Sequence, residues 1–231
     1  MLKPKASKTK NIVFINTIDV AKEYPPKPAI YFIPKWYKEM EAYFPKEKNP
    51  DSLATIKKCI PVLDALTAGY IIVSPCDVYV SLKDGEPHYN SAIPNLIAFH
   101  PRKQAYKHPV ANDFQFPKWI NSWGIKTPKG YSCLFVSPMH NQNEHFAILE
   151  GIVDTDNYFA PVNFPFVLKD PTAEFMIPAG TPIAQVIPFK RDVWESKFSE
   201  DGEASTRLAR YIDTQFFDRY KRLFWNRKSY S

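Results

Sequence analysis

Between residues 123 and 190, short apolar-rich runs recur between clusters of turn residues, the texture of regular β structure. WGIKTPKGYSCLFVSP, HFAILEGIVDTD, NFPFVLKD and EFMIPAGTPIAQVIPFKR each read as strand there. The turn formers Pro128-Lys129-Gly130, Asp170-Pro171-Thr172 and Pro178-Ala179-Gly180 separate them at regular intervals, which predicts a sandwich or barrel. Upstream, NIVFINTI (11–18) and YIIVSPCDVYVSL (70–82) alternate, the latter as two strands turning near Pro75. DGEPHYN and the stretch to about residue 122 read as loop with scattered aromatics.

A different period governs the rest. KWYKEMEAYF predicts a short helix stopped by Pro45. In the next segment Asp51 and Ser52 offer an N-cap, and Leu53, Ile56, Ile60, Leu63 and Leu66 share a helical face that Pro61 should kink. From Ser205, Leu208, Tyr211, Ile212, Phe216, Tyr220, Leu223 and Phe224 recur at three- and four-residue intervals, predicting an amphipathic helix. Lys221 and Arg222 near its end complement the helix dipole. Pro25, Pro26, Pro28 and Pro34 exclude both helix and central strand from AKEYPPKPAIYFIPKW. That segment should run extended over a surface, anchored by Tyr31, Phe32 and Trp36.

Composition agrees with a β-rich fold. Aromatics make up 15% of 231 residues, with 22 prolines against 7 glycines, a balance that favours strands, a dense core and stiff connections. The net charge of +6 is concentrated at the ends, in MLKPKASKTK and RYKRLFWNRK. These ends either meet phosphates or acidic surfaces, or are solvated tails. No zinc-finger spacing, RNP motif or helix-turn-helix pattern points to nucleic acid as a partner. Cys59, Cys76 and Cys133 lie in apolar runs and read as core filler in a reducing compartment. With no apolar 18-residue stretch and no signal-type N-terminus, the expected location is cytoplasmic, or a virion if the chain is viral, with no membrane partner.

The strongest chemical signal is the tight turn GIVDTD (151–156). Asp154 is either a general base or, with Asp156, a turn residue holding backbone amides. His140 and His145 flank a polar Asn-Gln-Asn-Glu loop, which makes His140 an acid/base candidate or simply a loop residue. Gln185 either bonds backbone or touches a ligand. His100 and His108 with Asp113 form the only histidine–acid cluster, and nothing fixes them on one face, so no metal site is assigned.

Four segments together carry a family resemblance. Thr67-Ala68-Gly69-Tyr70 is followed by an apolar pair and then Asp77-Val78. Ile125-Lys-Thr-Pro-Lys-Gly130 leads to Leu134-Phe135. Gly151-Ile-Val-Asp154-Thr-Asp156 comes third, and Phe175-Met-Ile-Pro-Ala-Gly180-Thr-Pro-Ile-Ala184-Gln185 fourth. Over residues 64–190 this resembles the dUTPase and dCTP-deaminase superfamily. It is also similar to a family of phage and bacterial proteins associated with tailed phages. The resemblance implies a mainly β, dUTPase-like β-clip or distorted-barrel core in a trimeric homo-oligomer. An N-terminal basic arm, Pro-rich wrap and short helices would occupy 1–63, and a C-terminal amphipathic helix 191–231. It further implies a water-activating role for Asp154, with Asp156, Tyr158 and Gln185 around a nucleotide and Tyr158 stacked on its base or simply buried.

Departures from that pattern bear on activity. Pro138-Met139-His140-Asn141 stands where the enzymes carry a phosphate-binding Pro-Arg-Ser-Gly. Ile71 replaces the first motif's aspartate, Asn157 displaces Tyr158 from register, and Pro182 stands in place of an arginine. The enzymes' glycine-rich C-terminal arm gives way to the amphipathic helix. Phosphoryl chemistry depends on positioning and charge neutralisation, and losing one such donor typically costs ~100-fold. The expectation is therefore a catalytically degenerate, phage-type protein with a binding, structural or assembly role, including association with virion proteins. The alternative is a nucleotide pyrophosphatase or deaminase-like enzyme using Asp154, with Mg2+ held by the substrate's phosphates.

Overall fold

The computed structural model describes residues 9–44, 54–109, 116–200, 202–213 and 219–231. Its first elements are β1 (Val13–Asn16), β2 (Lys27–Pro28), α1 (Lys35–Glu39) and α2 (Ile60–Thr67). Then come β3 (Tyr70–Val73), β4 (Val78–Lys83), β5 (Glu86–Ser91), β6 (Ile97–His100), β7 (Phe116–Trp119) and β8 (Trp123–Lys126). β9 (Tyr131–Val136), β10 (Phe146–Ile148), β11 (Gly151–Val153), β12 (Phe164–Leu168), β13 (Phe175–Ile177) and β14 (Pro182–Lys190) complete the strands. α3 (Glu203–Asp213) and α4 (Arg219–Leu223) follow.

The described residues are mainly β, in four antiparallel sheets. The largest runs β11-β9-β14-β3-β2, and the others are β10-β12-β7-β6, β13-β4-β5 and β1-β8. None closes into a barrel, so the barrel option becomes a set of packed open sheets. Most of these strands are only three to six residues long, too short to wrap a continuous ladder. β14 is the exception and organises the molecule. It pairs with β9 from Gln185↔Val136 to Lys190↔Tyr131, and with β3 on its other edge. Inward residues of the sheets meet in one core, where Trp119, Phe146 and Phe166 pack ring to ring at 5.7–5.8 Å.

Several elements differ from the sequence reading, each for a local reason. Residues 86–119 hold β5, β6 and β7 rather than loop, because Pro87 and Pro117 are accommodated in these short strands. HFAILEGIVDTD divides into β10 and β11, which join different sheets. Pro61 sits in the first turn of α2, where its missing N–H costs nothing, so it starts the helix instead of kinking it. The Pro-rich segment forms 3-10 turns at Asp19–Glu23 and Ala29–Phe32 around the edge strand β2. Of its three expected anchors Phe32 packs against the body, whereas Tyr31 and Trp36 remain exposed. Cys133 is buried, with burial pushing its thiol up to about 11, but Cys59 is exposed at the N-cap of α2 and is not core filler.

Segments outside 64–190 also contribute to the packed body. β1 adds to β8 in register Val13↔Lys126, and α1 packs on α2 through Tyr37, Val62 and Leu66. At the other end the chain returns to α2. The Trp225 indole N–H and the Lys228 ammonium both reach the Asp64 carboxylate, at 3.0 and 2.6 Å. Tyr230 lies edge-on to Tyr70, whose hydroxyl donates to the Ser231 carbonyl. Between β14 and this return, α3 leaves Leu208 and Tyr211 about half exposed. Asp51, Ser52, Asp113 and Phe216, and nearly all of the basic N-terminal arm, lie outside the described residues.

Candidate functional site

The GIVDTD turn is held at every residue. β11 lies against β9 with Val153 opposite Cys133, which delivers Asp154 beside Ser132. The amides of Asn157 and Tyr158 donate to the Asp154 carbonyl at 3.0 and 2.8 Å, closing the turn. Thr155 is fully buried, its hydroxyl 2.8 Å from that of Thr127, while the Thr127 amide donates to the Thr155 carbonyl. Asp156 accepts the Gly130 amide at 2.7 Å, and Asp154 accepts the Ser132 hydroxyl at 2.7 Å.

Arg191, the residue after β14, completes the site. Its own amide donates to the Gly130 carbonyl at 2.9 Å, which fixes the base of the side chain. The guanidinium then spans both carboxylates, 3.0 Å from Asp154 and 2.8 Å from Asp156, and donates to the Ser132 hydroxyl at 3.1 Å. Such a fork satisfies two acids with one planar cation. Only 3% of the Asp156 side chain is exposed, so its charge is enclosed by these partners.

These contacts set the charge state. The Arg191 guanidinium and then the Gly130 amide hold the Asp156 carboxyl at about 2. The Ser132 hydroxyl, followed by Arg191, keeps Asp154 below the ordinary carboxylate range against the opposing effects of partial burial and Asp156. Arg191 is raised in turn, mainly by Asp156. A general base working near neutral pH needs a raised carboxyl pKa. Asp154 is shifted the other way, so this geometry gives an ionised, weakly basic carboxylate. A divalent cation would first have to displace Arg191 from both acids. The pair does not fit a metal. Among the described residues no group of three His, Cys, Asp or Glu side chains could hold a metal ion.

The direction of the Asp156 shift predicts a pH effect. A carboxyl depressed in the folded state contributes stability that is complete above its unfolded value near 4 and is lost as pH falls toward about 2. Acid unfolding should therefore steepen across that window in the native chain. Arg191→Gln should flatten it, as read by circular dichroism between pH 5 and 2. Equal acid midpoints for the two proteins would remove the ion pair from any account of stability.

The other sequence candidates lie elsewhere. Gln185 is buried, and its amide is committed to backbone at both ends. It accepts from the Met139 amide at 2.8 Å and donates to the carbonyls of Ala65 and Ala68 at 2.9 and 2.7 Å. His140 takes a left-handed φ of 55°, and its carbonyl accepts from the Trp36 indole at 3.1 Å. Its backbone is fixed, while the imidazole is exposed. His145 stacks on Phe175 at 4.0 Å. Ser132 and Val136 mark the two ends of this arrangement, about 13 Å apart along β9 at a strand's rise per residue. Asp154 and Asp156 therefore belong to one end, Gln185 and the His140 turn to the other. Tyr158 follows the acidic turn with half its surface exposed.

Arg191 and Ser132 were not legible as site residues. Two acids in one turn imply a cation, but Lys190 and Arg191 are adjacent and alternation does not choose between them. Lys190 in fact pairs with Asp192. Beside the Gly130 turn lies a cleft of about 770 Å³, bordered by Lys10, Tyr70, Thr127, Tyr131, Arg227 and Tyr230. No protein-family model and no curated protein matches the chain.

Proposed function

We propose that the chain is a dUTPase-like protein in which the water-activating position has become structural, and that it acts by binding or assembly. One observation carries this reading. Arg191 occupies both carboxylates of the third motif, and Asp154 is held ionised with its pKa lowered. The fourth motif's Gln185 supports it, since its amide bonds three backbone groups of the same chain. The resemblance to tailed-phage proteins makes a homo-oligomeric virion or assembly component the fitting context. Incubating the purified chain with each deoxynucleoside triphosphate and Mg2+ should give no hydrolysis or deamination above the blank. Turnover at about 1 s⁻¹ or faster, the lower end for ordinary enzymes, would defeat the proposal.

A second reading is favoured by the cleft beside Gly130. Lys10 and Arg227 supply positive charge there, and the Lys10 ammonium sits 4.8 Å above the Tyr131 ring. Cations beside partly buried aromatic rings suit an anionic ring compound such as a nucleotide. On this reading the chain is a nucleotide pyrophosphatase or deaminase-like enzyme. Asp154→Asn would then abolish turnover and leave the melting temperature nearly unchanged.

A further inference from the structure

We propose that residues 192–200 form an arm that docks on an exposed apolar patch of a second copy of this chain, centred on Ile152, Tyr158 and Phe159. This names the partner for the assembly role above and rests on that reading.

The arm leaves β14 without helix or strand pairing. Trp194 is 88% exposed, and Val193 and Phe198 are fully exposed. Single apolar residues on a surface need no explanation, whereas three bared within six residues do. The patch is equally bare. Ile152 is 64% exposed on β11, an outer strand of the five-stranded sheet, and Tyr158 and Phe159 are both half-exposed. The Phe159 backbone lies against Gly124 of β8, beside Ile15 of β1, so Ile15 and Val13 continue the same apolar surface.

The root of the arm lies at the patch. Arg191 is pinned to Asp154 and Asp156, in the turn that joins Ile152 to Tyr158. Three residues later Trp194 nevertheless stands in solvent. The chain thus carries two neighbouring apolar faces and covers neither with the other. A head-to-tail contact buries the arm of one copy on the patch of the next, and repetition closes a ring. With its backbone in no ladder, the arm also suits addition to the outer edge of β11, where main-chain bonds would set the register.

Charge and area agree with this partner. Along the arm Asp192 pairs with Lys190 and Glu195 lies 3.7 Å from Lys197, which leaves the charge of Glu200 over, while Lys126 stands 5.6 Å from the Phe159 ring at the patch. Large aromatic side chains each offer about 150–250 Å², so both faces together remove roughly 1,000 Å² from water per contact. That reaches the size of a specific interface, and each chain in a ring makes two.

The test uses the full chain, with native mass spectrometry and sedimentation velocity. The native protein should be a closed oligomer at about 10 µM. A double variant in the arm, Trp194→Ser with Phe198→Ser, and another in the patch, Ile152→Ser with Tyr158→Ser, should each be monomeric. Both should keep the native far-ultraviolet circular dichroism, because none of the replaced side chains belongs to the buried core of the single chain. Mixing the two should give a one-to-one heterodimer, since the patch variant retains its arm and the arm variant its patch. A monomeric native chain at about 100 µM, an oligomer that survives the arm changes, or a mixture without heterodimer would each overturn the proposal. Capture of a different protein by the arm, with the native chain monomeric, would overturn it as well. The nucleotide assay fails or succeeds independently of these outcomes, so loss of the arm contact is distinguishable from loss of the non-catalytic reading.

Discussion

Gly69→Ala is expected to lose about 4 kcal/mol or more, enough to leave a marginally stable domain largely unfolded. Gly69 turns the chain from α2 into β3 with φ at +66°, which an L residue adopts at a cost of about 1 kcal/mol. Conformation is the smaller part. A methyl group there would overlap the Val186 carbonyl oxygen and lie 2.9 Å from its carbon and 3.1 Å from the Ile187 Cα. All three atoms are backbone of β14, so no rotamer change relieves the contact. β14 is paired with β3 and β9 and cannot retreat without breaking a ladder. The Gly69 carbonyl also accepts the Ala29 amide at 3.0 Å, tying the Pro-rich segment to the same point. Gly85→Ala separates the two effects. Gly85 has φ of +79° with nothing within 4 Å of the added methyl, so about 1 kcal/mol is expected. Urea midpoints of the two variants measure the difference. Equal losses would mean that β14 yields and that the close approach has no energetic weight.

Particular residues show how far the sequence leads. IAQVIPFK is a nearly continuous apolar run and folds as the long strand β14, because a strand paired on both edges is buried at consecutive positions. EPHYNS does not alternate in hydropathy, yet it forms β5. Its partner β4 supplies six paired positions from Val78↔Ser91 to Lys83↔Glu86, and that cross-strand context outweighs weak intrinsic preference. The amphipathic stripe of α3 was readable, but what it faces was not, since periodicity fixes a face and not its partner. The same limit applies at the site. Asp154 and Asp156 stand out locally, whereas Arg191 reaches them only through the order β11-β9-β14, a long-range arrangement that spacing along the chain does not encode.

Gln185→Leu should cost roughly 3–5 kcal/mol, although it preserves side-chain volume and removes no apolar contact. The buried amide is the junction of three segments. It holds the Met139 amide before the His140 turn, and the Ala65 and Ala68 carbonyls at the end of α2. Leucine leaves all three groups facing an apolar side chain, and each unpaired buried polar group costs about 1–3 kcal/mol. Gln185→Glu sharpens the test. The acceptor for Met139 survives, but a carboxylate oxygen then faces two carbonyl oxygens, so the charged form is disfavoured and the folded-state pKa rises. A carboxyl raised in the folded state is tolerated while protonated. Stability of that variant should therefore fall as pH climbs above the unfolded value near 4, the opposite of the Asp156 effect. Thermal melts of the three proteins at pH 4, 5.5 and 7 supply the comparison. If Gln185 served a ligand instead of the fold, Gln185→Leu would melt with the native chain, and Gln185→Glu would show no added pH dependence.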